Sequence, residues 1–199
     1  MQGCTQSPLG KERGFSLIEV LVTVLVFSIG MLGIAGLSTV GRRATFDTVQ
    51  RSTAAELAYA LLEEMRSNNE ALGVYVAAAV LGRGSRGSSE PAPDCDAAGA
   101  ACTADELATH SLWAWEQMLD TGFETAAGVG TGGLVTPTAC IVGPAGGVAG
   151  NYTVTMVWRG VSELADPAIN ACGAATGLYG TSGEFRRMAV VQTYIDPAN

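Results

Sequence analysis

FSLIEVLVTVLVFSIGMLGIAGLSTV, residues 15–40, carries a single charged side chain, Glu19. Coiled as an α-helix this run extends roughly 39 Å at about 1.5 Å per residue, enough to cross a hydrocarbon core of about 30 Å. Lys11 and Arg13 lie just before it, so the positive-inside bias predicts a cytoplasmic N-terminus and a C-terminal bulk across the membrane. Arg42 and Arg43 oppose that bias from the far end, but the first basic cluster adjoins the span and the cysteine pattern calls for an oxidising compartment. A secretory signal peptide is the competing reading, with Gly33-Ile34-Ala35 as a small-x-small cleavage site. Against it, an ionised carboxylate inside the apolar run costs roughly 3 kcal/mol. The apolar character also continues past Ala35 without a breaker. A lipoprotein reading of Cys4 fails because no apolar segment precedes it.

Outward from this run, residues 42–69 contain no Gly or Pro. Phe46, Val49, Thr53, Leu57, Leu61 and Met65 recur at spacings of three and four, with Ala54, Ala58 and Leu62 beside them, while Arg42, Asp47, Arg51, Glu56, Glu63 and Arg66 take the remaining positions. That spacing predicts an amphipathic helix continuous with the apolar one, a rod of roughly 80 Å unless Gly41-Arg42-Arg43 acts as a hinge. Its apolar stripe must be buried against something else.

Glu19 needs a partner, because an acid in lipid is stabilised only by a proton, a counter-charge or a polar cavity. A cut between Gly14 and Phe15 would create an α-amino group with an ordinary pKa of about 8, mostly protonated at neutral pH. That amine can meet Glu19 in its own chain, one helical turn away, or Glu19 of a neighbour packed in axial register. An intermolecular pair rewards assembly and penalises wrong registers, since a misplaced subunit leaves both charges unpaired.

Lys11-Glu12-Arg13-Gly14 followed by Phe15-Ser16-Leu17-Ile18-Glu19 resembles the class III signal of type IV prepilins and pseudopilins, in which a short basic leader ends at Gly. The resemblance implies cleavage after Gly14 by a membrane-embedded prepilin peptidase, methylation of Phe15 and use of Glu19 in assembly. Ser28-Ile29-Gly30-Met31-Leu32-Gly33-Ile34-Ala35-Gly36-Leu37 is similar to a stretch of the minor pilins of the pilus-modification family. Gly30, Gly33 and Gly36 also let membrane helices approach closely, and each weakens the helix by roughly 1 kcal/mol relative to Ala, so the rod is expected to loosen there.

Beyond residue 72, residues 74–81 form a short apolar run, followed by an exposed loop made of a Gly/Ser/Arg-rich stretch, residues 82–89, and Glu90-Pro91-Ala92-Pro93. Thr103 and Glu106 fit a capping box that opens a helix running to about residue 120, with Leu107, Leu112, Trp115 and Leu119 sharing a face. Trp113 and Trp115 diverge on such a helix, which argues for core and against an aromatic platform. Residues 134–142, 152–158 and 187–195 alternate as strands, with Pro137 placing the first at an edge. Tyr152, Val154, Met156 and Trp158 would face one way; Met188, Val190, Gln192 and Tyr194 oppose Ala189, Val191, Thr193 and Ile195. Antiparallel pairing of these strands gives the stripe on the helix a partner. The fold class is therefore α+β, a long N-terminal helix packed on a small antiparallel sheet, which is the architecture the pilin resemblance implies. Residues 152–159 also resemble the globular region of the minor pilins. The organisation reads as leader 1–14, transmembrane and assembly helix 15–40, amphipathic continuation 41–69 and a periplasmic or extracellular head 70–199.

Cys4 would leave with the leader, so Cys95, Cys102, Cys140 and Cys172 form an even set in a translocated head. Three pairings are possible; Cys95 with Cys102 and Cys140 with Cys172 is the expected one, a local loop and a tie between the first strand and the long loop before the last. Zinc is the weaker alternative, there being no C-x-x-C pair and His110 standing as the single histidine. No metal and no cofactor are expected.

Across its 199 residues the chain has Lys+Arg 11 against Asp+Glu 19, a net charge of -8, which argues against a general nucleic-acid binder. Hydrophobic residues at 48% and charged residues at 15% exclude a disordered chain. No nucleophile motif accompanies His110, and Glu63-Glu64 reads as a solvated helix face, so an enzyme is not expected. Three functions remain. The first is a minor pilin of a type IV pilus that works with prepilin peptidase, other minor and major pilins and the inner-membrane assembly platform, enters a tip or initiation complex, and supports adhesion or twitching. It would sit in the inner membrane before assembly and on the cell surface after it. The second is a pseudopilin of type II secretion, and the third a membrane-anchored periplasmic enzyme or binding domain that never polymerises.

Overall fold

The computed structural model describes residues 14–121, 125–126, 129–130, 133–166, 169–174 and 176–197. Leader residues Lys11 and Arg13, like Cys4, lie outside that set. The chain divides into two compact units, 1–44 and 45–199.

Helix α1, Leu17–Ser67, runs without interruption through Gly30, Gly33, Gly36 and Gly41. The expected loosening at the glycines does not occur. A penalty of about 1 kcal/mol per Gly is too small to break a helix whose neighbours are mostly Leu, Ile, Val and Met, and an added Cβ at Gly30, Gly33 or Gly36 would meet nothing within 4 Å. In the first unit the apolar side chains stand exposed. Hydroxyls in this run donate back to the helix, Thr23 to the Val20 carbonyl at 2.9 Å, Ser28 to Val24 at 2.7 Å and Thr39 to Ala35 at 3.1 Å. Such internal satisfaction is what a lipid-facing segment requires.

In the second unit the stripe on α1 is buried from Gln50 onward through Ala54, Leu57, Ala58, Leu61, Leu62 and Met65. Phe46 and Val49, expected on the stripe, are exposed, because the core begins one turn later along the helix. A 3₁₀ turn, Asn69–Ala71, leads into α2, Leu72–Ala78, which ends where Ala79 takes a φ of 48°. Strand β1, Val80–Leu81, follows at once. The apolar run 74–81 is thus part helix and part strand, a division its uniform composition conceals.

Helix α3, Ala104–Thr121, begins at the expected capping box: the Glu106 carboxylate accepts from the Thr103 backbone N–H at 2.8 Å, and Thr103 Oγ1 accepts from the Glu106 N–H at 3.3 Å. Ala108, Leu112, Trp115 and Leu119 form its buried face. Leu107 is 39% exposed rather than part of that face, since five residues separate it from Leu112 and turn it well away. Trp115 donates its indole N–H to the Leu57 carbonyl at 3.1 Å, tying α3 to α1.

Strands β2, Thr125–Ala126, and β3, Val129–Gly130, pair as a two-stranded ribbon. The main sheet has the antiparallel order β1-β4-β5-β6, with β4 Thr138–Val142, β5 Gly150–Arg159 and β6 Arg186–Ile195. Its register aligns Val80, Cys140, Thr155 and Val190 across all four strands. Tyr152, Val154, Met156 and Trp158 enter the main core with the α1 stripe and the buried face of α3. The β4–β5 connection passes so close to α2 that a Cβ on Gly147, which has a φ of 72°, would meet the Gly73 nitrogen at 2.3 Å; only Gly fits there.

Thr155 and Val157, on the opposite face of β5, are buried too. The segment before β6 covers them: Asn170 donates to Thr155 Oγ1 at 2.9 Å, and Tyr179 donates its hydroxyl to Thr138 Oγ1 at 2.9 Å. Burial pushes the Tyr179 phenol above its ordinary value of 10.0, against the weaker opposing effect of the Thr138 bond. The Cys140–Cys172 disulfide ties this cover to β4, and Cys95 is bonded to Cys102. Closing the 32-residue separation between Cys140 and Cys172 removes unfolded-chain entropy worth about 3–4 kcal/mol.

Candidate functional site

Gly14, Phe15 and Ser16 form a non-helical segment in front of α1, and all three are exposed. The Ser16 carbonyl accepts the first backbone bonds of the helix, from Glu19 at 3.0 Å and Val20 at 3.3 Å. The Gly14–Phe15 peptide therefore lies outside the helical hydrogen-bond ladder. Phe15 is 85% exposed. Glu19 occupies the first turn, where backbone N–H groups without helical partners favour a negative charge. Among the described residues Glu19 makes no ion pair within the chain.

The sequence brings these three features together because Gly14 interrupts helix formation, Ser16 suits a helix start and the run from Leu17 onward favours a helix. A model of the prokaryotic N-terminal methylation motif matches residues 9–35. The chain carries a prepilin-type methylation motif. No curated protein and no solved structure matches the chain. With the α+β architecture behind it, the prepilin-type motif supports a pilin or pseudopilin, anchored by α1, the described helix long and apolar enough to cross a membrane.

The head also holds polar sites that sequence reading missed. Glu116 is fully buried on α3, and its carboxylate accepts from the backbone N–H groups of Gly82, Ser85 and Arg86 and from the Ser85 hydroxyl. One turn on, Asp120 accepts from Arg83 at 2.8 Å and Gly84 at 2.7 Å. The Gly-rich loop 82–86 is therefore clamped by two carboxylates at i and i+4, although its composition reads as a free surface loop. All but one of its donors, the Ser85 hydroxyl, are backbone groups, which leave no side-chain signal. Glu64, expected on a solvated face, accepts from Ser111 at 2.7 Å across the α1–α3 contact, while Glu63 pairs with Arg66 in the expected exposed manner. His110, expected without companions, is 3% exposed and meets Glu90 at 2.9 Å.

Proposed function

We propose that this chain is a minor pilin of the PilV type, a subunit of a type IV pilus. Prepilin peptidase cuts after Gly14 on the cytoplasmic face and methylates Phe15. The released chain is held in the inner membrane by α1 with its head in the periplasm, then leaves the bilayer by lateral packing with other pilins on the inner-membrane assembly platform. Glu19 takes the Phe15 ammonium of a neighbour as its counter-charge during that packing. The surface destination is the pilus, in a tip or initiation complex supporting adhesion or twitching.

The observation that carries this reading is the exposed, non-helical Gly14–Phe15 peptide immediately before an apolar helix with one acid in its first turn, inside the matched prepilin-type motif. The choice of a minor pilin over a type II secretion pseudopilin rests on the resemblance of residues 28–37 and 152–159 to minor pilins. Mass spectrometry of the protein from sheared surface filaments tests both parts. The expected result is a mature chain beginning at methylated Phe15 that co-purifies with major pilin. A different N-terminus overturns the processing, and a correctly processed chain found with secretion components in place of filaments assigns it to the pseudopilins.

A further inference from the structure

His110 lies midway along α3, buried, with its Nε2 directed at a group of acids on the preceding loop. Glu90 Oε1 stands 2.9 Å from that nitrogen and Asp96 Oδ2 3.9 Å. Asp94 brings a third carboxylate, so that one donor atom each from His110, Glu90 and Asp94 lie within 4.8 Å of one another. The Asp94 carboxylate is oriented by the backbone N–H groups of Asp96 and Ala97, at 3.0 and 3.1 Å, and the disulfide of the next residue, Cys95, with Cys102 ties this stretch to the chain just before α3. Charge is unbalanced here. Among the described residues the ion pairs of Glu90 and Asp96 are with His110, so one imidazole faces three carboxylates. Beside His110 opens a cavity of about 220 Å³, lined also by Glu64, Asp96 and Ser111.

We propose that His110, Glu90 and Asp94 bind a divalent transition-metal ion of the zinc type, with Asp96 beside it to take a further position directly or through water. A neutral imidazole with carboxylates suits such an ion, whereas an all-oxygen set would suit calcium or magnesium. Ligands at about 2.1 Å in a tetrahedron stand about 3.4 Å apart, a closure that rotation of the exposed Glu90 and Asp94 side chains supplies around the fixed His110. Exposed Glu90 and Asp94 leave the site open to solvent, and the cavity beside His110 and Asp96 has room for water. The ion would fasten the disulfide loop to α3. This site is independent of pilus membership, since it lies wholly in the head.

The test uses the full, untagged chain in detergent micelles, stripped with chelator and dialysed against Zn²⁺, with Co²⁺ as a spectroscopic probe. One Zn²⁺ per chain is expected, together with visible Co²⁺ absorption bands that Zn²⁺ abolishes. His110→Gln and the double variant Glu90→Gln/Asp94→Asn should each weaken Zn²⁺ binding at least tenfold, while exposed Glu56→Gln leaves it unchanged. Should His110→Gln fail to fold, the double variant decides alone, because both of its side chains are at the surface. Zn²⁺ bound at less than one equivalent, or equally well by the double variant, overturns the proposal and leaves His110 as the ion-pair partner of Glu90.

Discussion

Glu116 shows how much a single buried carboxylate organises. Three backbone N–H groups and one hydroxyl converge on it from loop 82–86, and an unsatisfied buried donor costs about 1–3 kcal/mol. Glu116→Ala strands several at once, so chemical unfolding of the full chain in micelles should show a loss of about 3–5 kcal/mol. Glu116→Gln keeps the shape and one acceptor oxygen and should lose less. Equal stability of Glu116→Ala and the wild type would contradict the clamp. Nothing local in the sequence signals this role, because Glu116 sits 30 to 34 residues after its donors in an ordinary helical stretch. His110 is similar: its acids become visible only when the chain returns through the Cys95–Cys102 loop. The methylation motif of residues 9–35, by contrast, is legible because it depends on spacing along one short segment.

At the scale of the element, α3 was readable at its start, since a capping box is a local device. Its Glu106 carboxyl is held below its ordinary value of 4.5 by the Thr103 backbone N–H first and the Thr103 hydroxyl second. A carboxyl whose folded pKa is lowered binds protons more tightly when unfolded, so its contribution is complete above the unfolded value and disappears as pH falls through the folded one. The advantage of wild type over Glu106→Gln in chemical unfolding should therefore be constant above about pH 5 and shrink as the pH drops below about 4.5. A difference unchanged down to pH 3 would remove the cap from the account. Strands β5 and β6 were equally legible from alternation, and the helix stripe from its spacing. The α2–β1 division was not, because the break is made by the backbone of Ala79 within a uniformly apolar run. Nor was the burial of Thr155 and Val157: alternation marks one face of a strand as polar, and here the segment carrying Asn170, Cys172 and Tyr179 covers that face.

For the whole molecule, the two units have different relations to their surroundings. The second unit, residues 45–199, buries its own core among α1, α2, α3 and the sheet. Residues 17–40 leave their apolar side chains exposed within the chain, and such a surface is compatible with lipid or with the helices of other subunits. For the proposed pilin role, passage from the first environment to the second needs a driving force that lipid does not provide, and we propose that the pairing of Glu19 with a Phe15 ammonium supplies it. Loss of one member of a buried ion pair costs about 3–5 kcal/mol, more than enough to reduce incorporation tenfold. The most direct measurement is therefore the amount of Glu19→Gln protein in sheared filaments relative to wild type, with membrane levels and cleavage after Gly14 monitored in the same cells. The account predicts a cleaved, membrane-resident variant present in filaments at less than about one tenth of the wild-type level; normal incorporation of the cleaved variant would contradict it.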